Sequence, residues 1–135
     1  MVGRIECSVF EMEDTPKQFV IQQHTTPNGV HWDLMLEMGE CLWTWRLNVP
    51  PVKIKNKPIT AERIHDHPLR FLTYEGPVQN NTGTVTIADK GTYLLRSQTD
   101  SVLMLELQGT ILSDCFQLQR TENTLWVFEI AVSQQ

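Results

Sequence analysis

The sequence predicts an all-β, mainly antiparallel domain, a small barrel or curled sheet with at most one or two short helices. Three observations carry this: short runs rich in Val, Ile, Thr, Phe, Tyr and Trp alternate with turn residues, the turns are tight, and a 3.6-residue apolar period is almost absent. The strand-like runs are residues 18–24, 31–38, 41–47, 71–76, 83–88, 91–95, 101–109, 115–120 and 125–131. Met38-Gly39-Glu40 and Asp89-Lys90-Gly91 have the length and composition of hairpin turns. Residues 60–65 read as a short helix, with Thr60 as N-cap and Arg63 in the last turn. The loop 48–58, in which Pro50, Pro51 and Pro58 gather with Lys53, Lys55 and Lys57, is expected at the rim of a site. Periodicity by itself also permits a sandwich.

At 135 residues the chain has the size of one domain, so a single domain over 1–135 is expected, with 1–17 a loosely ordered N-terminal arm. With 41% apolar and 20% charged residues the balance is globular, and no run approaches the roughly 20 apolar residues that span a bilayer. The start of the chain runs into the acidic Glu11-Met12-Glu13-Asp14 and lacks the pattern of a secretory signal, so a cytoplasmic location without a membrane partner is expected. Cys7, Cys41 and Cys115 are odd in number and form no CxxC pair, which points to reduced cysteines within strands or core. A net charge of −5 argues against coating duplex DNA. Recognition of one phosphate at a chain end survives that charge, because a metal ion and two or three cationic side chains suffice for it.

The segment His31-Trp32-Asp33-Leu34-Met35-Leu36-Glu37 carries the clearest chemistry. Neighbouring side chains on a strand face opposite ways, so His31, Asp33, Met35 and Glu37 share one face and Trp32, Leu34 and Leu36 the other. The apolar set belongs to a packed core. Same-face neighbours stand about 6 to 7 Å apart, a spacing that lets His31 and Asp33 hold a metal with Glu37 as an outer partner. The next strand repeats the pattern, with Leu42, Thr44 and Arg46 on the polar face and Trp43, Trp45 and Leu47 on the core face. Arg46 is therefore a cation placed to hold a phosphate bidentately. A solvated outer face with an ordinary ion pair satisfies the same pattern.

His24 ends the preceding strand, and a Pro27-Asn28-Gly29 turn folds it back beside His31 and Asp33. Two histidines and one aspartate make a facial set suited to manganese, iron or zinc, with positions left open for a substrate oxygen and water. Further on, Pro68 biases His67 to an extended backbone and so fixes its placement. His65 reads as an exposed loop histidine. Arg63, Lys53 and Lys57 are cations within reach of the same site.

Taken in order, these landmarks resemble the 3′-phosphoesterase domain of bacterial DNA ligase D, together with small standalone proteins of similar pattern. They are Phe19-Val20-Ile21-Gln22-Gln23-His24, the His31–Glu37 segment, Asp66-His67-Pro68-Leu69, Tyr74-Glu75-Gly76, Gly83-Thr84-Val85 and the closing Leu125-Trp126-Val127-Phe128-Glu129-Ile130. The resemblance implies a small antiparallel β-barrel with a polar interior groove. It implies a manganese-dependent enzyme that removes 3′-terminal phosphates or ribonucleosides from DNA ends in repair. Carried over by position, His24, His31 and Asp33 match metal ligands, and His67 matches the histidine that contacts the scissile phosphate. Arg46 joins His67 as a catalytic candidate, and Glu37, Arg63 and Tyr74 as outer partners or substrate contacts. Two residues depart from the family pattern: Met35 stands in place of an arginine that grips phosphate, and Phe71 in place of a tyrosine. Neither donates a hydrogen bond to a phosphoryl oxygen.

Three readings follow. The first is a phosphoesterase using manganese, zinc or another divalent metal on DNA or RNA 3′ ends or on a small phosphoester, with a ligase or polymerase of a repair pathway as the expected partner. The second is a catalytically weakened or inactive barrel that binds nucleic-acid ends or a protein. The third is a carrier of a small apolar ligand lined by Trp32, Trp43, Trp45 and Trp126, which the strand parity of those residues disfavours.

Overall fold

Antiparallel strands make up most of the computed structural model, which describes residues 15–54, 57–79 and 82–131. Most of the expected N-terminal arm, and Lys55, lie outside the described residues. The strands are β1 (Lys17–Thr26), β2 (Gly29–Met38), β3 (Cys41–Leu47), β4 (Ile59–Pro68), β5 (Gly76–Pro77), β6 (Thr84–Gln98), β7 (Val102–Gly109), β8 (Ser113–Glu122) and β9 (Leu125–Ile130). They pair in the order β1-β2-β3-β4-β9-β8-β7-β6, and β6 returns to β1 to close an eight-stranded barrel, with β5 lying outside on the edge of β6. Closure removes the sheet edges that an open form would leave unpaired. No helix among the described residues is long and apolar enough to cross a membrane.

Every barrel strand turns one apolar face inward. Phe19 and Ile21 of β1, Leu34 and Leu36 of β2, and Trp45 and Leu47 of β3 are all at most 1% exposed and join a single core with β4, β6, β7, β8 and β9. Each such side chain contributes about 1.5–3 kcal/mol by its burial. Trp32, Leu34 and Leu36 therefore take the core side, as period-2 alternation requires. The polar face of β1–β3 is the outer side of the barrel wall, and residues 69–79 cross over it as a strap. The expected interior groove is thus an outer groove, because a closed eight-stranded barrel has room inside for one set of side chains only.

Three expected elements differ. Residues 60–65 are not helical but form the middle of β4, paired on both sides with β3 and β9. Barrel closure needs a strand there, and that outweighs a weak N-cap signal. Residues 71–76 are not a strand; a 3₁₀ turn, Leu69–Leu72, begins the strap and leads to the short β5. Asp89-Lys90-Gly91 is not a hairpin turn, since β6 runs straight through it. There Asp89, 3% exposed, accepts hydrogen bonds from four backbone N–H groups, those of Lys90, Thr110, Ile111 and Leu112, at 2.8–3.0 Å. The carboxylate pins the turn between β7 and β8 to the long strand. Gly91 passes so close to β7 that an added Cβ would lie 2.0 Å from the carbonyl oxygen of Gln108. Of the three cysteines, Cys7 lies outside the described residues, and Cys41 keeps a free thiol.

Asp89→Ala leaves those donors without their charged acceptor, and hydrogen bonds to a charged group contribute about 1.5–3 kcal/mol each. A loss of about 3 kcal/mol in urea unfolding is expected, read as a lowered midpoint at unchanged m value.

Candidate active site

The β1–β2 hairpin builds the centre of the groove. His24 and His31 are direct cross-strand partners, and Gln22 faces Asp33 one step along the same face. His24 Nδ1 lies 3.2 Å from His31 Nε2, and that nitrogen lies 3.4 Å from Asp33 Oδ2. One ligand atom from each of the three residues lies within 4.8 Å of the others. The protonation of His24 follows from its other nitrogen. Nε2 is 2.7 Å from the backbone carbonyl of Thr82, which only accepts, so Nε2 carries the proton and Nδ1 holds a lone pair toward the group. Gly83 makes that contact feasible: at φ +110° it packs against Thr25, where a Cβ would lie 2.0 Å from the Thr25 carbonyl oxygen.

These donors fit a divalent cation. Ligands about 2.1 Å from one metal stand roughly 3.0–3.4 Å apart when adjacent, the spacing found here. Asp33 is 3% exposed, and its Oδ1 is buried without a hydrogen bond. A buried carboxylate oxygen left so is costly, and a cation satisfies it. The nearest positive group is Arg46 Nε, directly across β3, at 3.6 Å. The Arg46 side chain is 41% exposed and lines the groove with its terminal nitrogens uncommitted among the described residues.

A bulge brings His67 to the same face. On β3, Leu42 pairs with His67 and Thr44 with Ile64, so β4 carries one extra residue at His65–Asp66. Such an insertion switches the alternation and re-aims the following side chain. His67 Nδ1 then lies 3.1 Å from Thr44 Oγ1 and 3.0 Å from the carbonyl oxygen of His65. Thr44 gives its own proton to the carbonyl oxygen of Leu42, at 3.1 Å, so it accepts from His67. The proton of neutral His67 is therefore on Nδ1, and Nε2 is the nitrogen left for the groove. Burial, and next the neighbouring His65, hold His67 below the usual imidazole pKa, outweighing the opposing pull of Asp33.

The remaining candidates divide. Tyr74 lines the groove, but its hydroxyl is donated to the carbonyl oxygen of Pro77, so it shapes the strap. Glu37 lies away from the groove, accepting from the backbone N–H of Gln18 at 2.8 Å. Arg63 faces the core side, with Cζ 5.0 Å from the Trp43 ring centre and 4.9 Å from that of Trp45, and pairs with Asp66 at 2.9 Å. Lys53 and Lys57 do not line the groove. Met35, with Val20 and Leu42, forms an apolar patch on the outer face, packed against Phe71 and Leu72 of the strap. Phe71 meets His67 edge to face, with ring centres 5.6 Å apart.

Several groove positions are not evident from sequence pattern. Gln22 donates through Nε2 to the carbonyl oxygens of Phe71 and Tyr74, both at 3.0 Å, and so ties the strap to the wall. Its i, i+2 relation to His24 is the one signal that points to it. His65 is stacked on His67, with ring centres 4.6 Å apart, and Arg70 lines the groove from the strap. Neither has a local signal, because both depend on the bulge and the 3₁₀ turn. The whole groove has a volume of about 610 Å³, far more than one phosphate fills.

Among known proteins, the family model described as DNA ligase D 3′-phosphoesterase domain matches residues 22–120, a span that takes in every groove residue named above. No curated protein matches the chain.

A lowered pKa means that unfolded His67 binds a proton at pH values where the folded form does not. Its contribution is nil well above pH 6.5 and turns against folding as pH falls through about 6.5. Proton NMR of the metal-free protein should show the His67 ring titrating below free imidazole. His67→Gln should reduce the acid-side loss of stability, measured as urea midpoints from pH 7.5 down to 5.5.

Proposed function

Because the chain belongs to the DNA ligase D 3′-phosphoesterase domain family, we propose that it is a divalent-metal-dependent phosphoesterase acting in DNA repair on 3′ ends that carry a phosphate or a ribonucleotide. The observation that supports this best is the convergence of His24 Nδ1, His31 Nε2, the Asp33 carboxylate and the His67 ring on one groove beside Arg46. His24, His31 and Asp33 would hold the metal, manganese in this reading, and when bound it supplies Lewis acidity toward a phosphoryl oxygen. The backbone carbonyl of Thr82 keeps His24 in the tautomer that ligation needs.

The other residues act on the phosphate itself. Arg46 offers its terminal N–H groups to phosphoryl oxygens while Asp33 orients it from behind. His67 waits as the neutral base, with Thr44 and the His65 carbonyl fixing its ring plane. A seated phosphate brings negative charge beside that ring and favours its protonation on Nε2. As water forms the new bond to phosphorus and gives its proton to solvent, the ester P–O bond breaks and the imidazolium gives its Nε2 proton to the departing alcohol. Met35 and Phe71 supply apolar packing on the floor in place of hydrogen-bond donors, which leaves the grip on phosphate to arginines from other positions.

That apolar floor is the observation favouring a second reading, a barrel that keeps the metal and binds DNA ends without turnover. The test is release of phosphate from a 3′-phosphate primer, and of nucleoside from a 3′-ribonucleotide primer, with and without manganese. Metal-dependent release is expected, abolished in His31→Ala and reduced about 100- to 1,000-fold in His67→Ala. A protein that binds manganese through His31 yet releases nothing contradicts the enzyme reading in favour of the binding module.

A further inference from the structure

Arg70 lines the groove from the 3₁₀ turn that opens the strap. Its guanidinium lies over the face of Phe71, 4.4 Å from the ring centre, and 5.4 Å from that of Tyr74. Contacts to ring faces engage no N–H donor, and among the described residues the Arg70 guanidinium has no hydrogen-bond or ion-pair partner. Five donors in a planar fork are thus held in place and left open. The anchoring is firm at its base: Gln22 fixes the backbone carbonyl of Phe71, and the Glu75 carboxylate accepts from the Ile87 backbone N–H at 2.7 Å.

In the proposed mechanism Arg46 and His67 already serve the reacting phosphate, which leaves the donors of Arg70, on the lining of the same groove, for a second one. Phe71 contacts both His67, at 5.6 Å, and Arg70, at 4.4 Å, so the two groups lie within about 10 Å, a reach that spans neighbouring phosphates of one strand. We propose that Arg70 grips the phosphate next along the chain from the reacting end and so acts as a positioning residue for the strand. This deepens the phosphoesterase reading and rests on the same groove. In a chain of net charge −5, the local cations Arg46 and Arg70 are what attract a polyanion to this face. Phosphate contacts of this kind position a strand without reading its sequence.

The test measures binding of a fluorescent 12-nucleotide single strand ending in a 3′-phosphate by anisotropy, in EDTA, across salt concentrations, for wild type, Arg70→Gln and Arg70→Lys. Loss of one phosphate contact should weaken Arg70→Gln about tenfold and reduce the slope of log K against log salt by about 0.7, with Arg70→Lys keeping the slope. A purely structural role of Arg70 moves thermal stability and leaves that slope unchanged. In manganese, release from the oligonucleotide should show a raised KM in Arg70→Gln, while release from a nucleoside 3′-monophosphate, which lacks the next phosphate, should not change. Equal binding and equal slope in Arg70→Gln, absence of strand binding by wild type, or equal losses on both substrates would each overturn the assignment. Binding that behaves as expected without any release would leave Arg70 assigned and count against the phosphoesterase reading alone.

Discussion

A closed barrel of eight strands admits one set of side chains to its interior, and the placement of every functional group here depends on that limit. Once Leu34 and Leu36 enter the core, His31, Asp33 and Met35 are committed to the outer face. The same holds across the register: Trp45 inward sends Thr44 and Arg46 outward, directly opposite Met35 and Asp33. The proximity of His31 and Asp33 to His24 is therefore a by-product of packing on the opposite side of the wall. A one-residue slip between β1 and β2 would expose the core residues and bury the ligands, so the energy of the core also enforces the site.

Two local irregularities convert that outer face into a groove. The bulge at His65–Asp66 brings His67 onto the ligand side, where strict alternation would have buried it. The strap then covers Val20, Met35 and Leu42, and Gln22 secures it through two carbonyl groups. Burial lowers the pKa of His67, and Asp33 Oδ1 is buried with an ion-pair contact to Arg46 but no hydrogen bond, so both groups are receptive to charge. Met35 and Phe71 belong to the same device, because an apolar floor lets the strap pack closely over the wall.

Much of this geometry is legible in the amino-acid sequence. Alternation in residues 31–37 and 41–47 assigns Asp33 and Arg46 to one face and the tryptophans to the other, and the register agrees with that division. The ligand cluster is legible because a short hairpin makes His24 and His31 neighbours whatever the rest of the chain does. Sequence patterns mislead where long-range pairing overrides local signals. Residues 60–65 look helical alone and become a strand because β3 and β9 need a neighbour. Asp89-Lys90-Gly91 looks like a turn, yet its carboxylate serves a different turn about 20 residues away. Arg63, placed with the phosphate groups on sequence alone, stacks instead on Trp43 and Trp45, because it sits opposite Trp45 in the register.

In the proposed function His24, His31 and Asp33 converge to bind one divalent cation on the outer barrel wall. Anomalous diffraction at the manganese edge from crystals grown with manganese would locate that ion. One strong peak is expected about 2.0–2.3 Å from His24 Nδ1, His31 Nε2 and an Asp33 oxygen, on the side of the groove that holds His67 and Arg46. No peak at saturating manganese, or a peak elsewhere on the molecule with His31 Nε2 still bonded to Asp33, would contradict it.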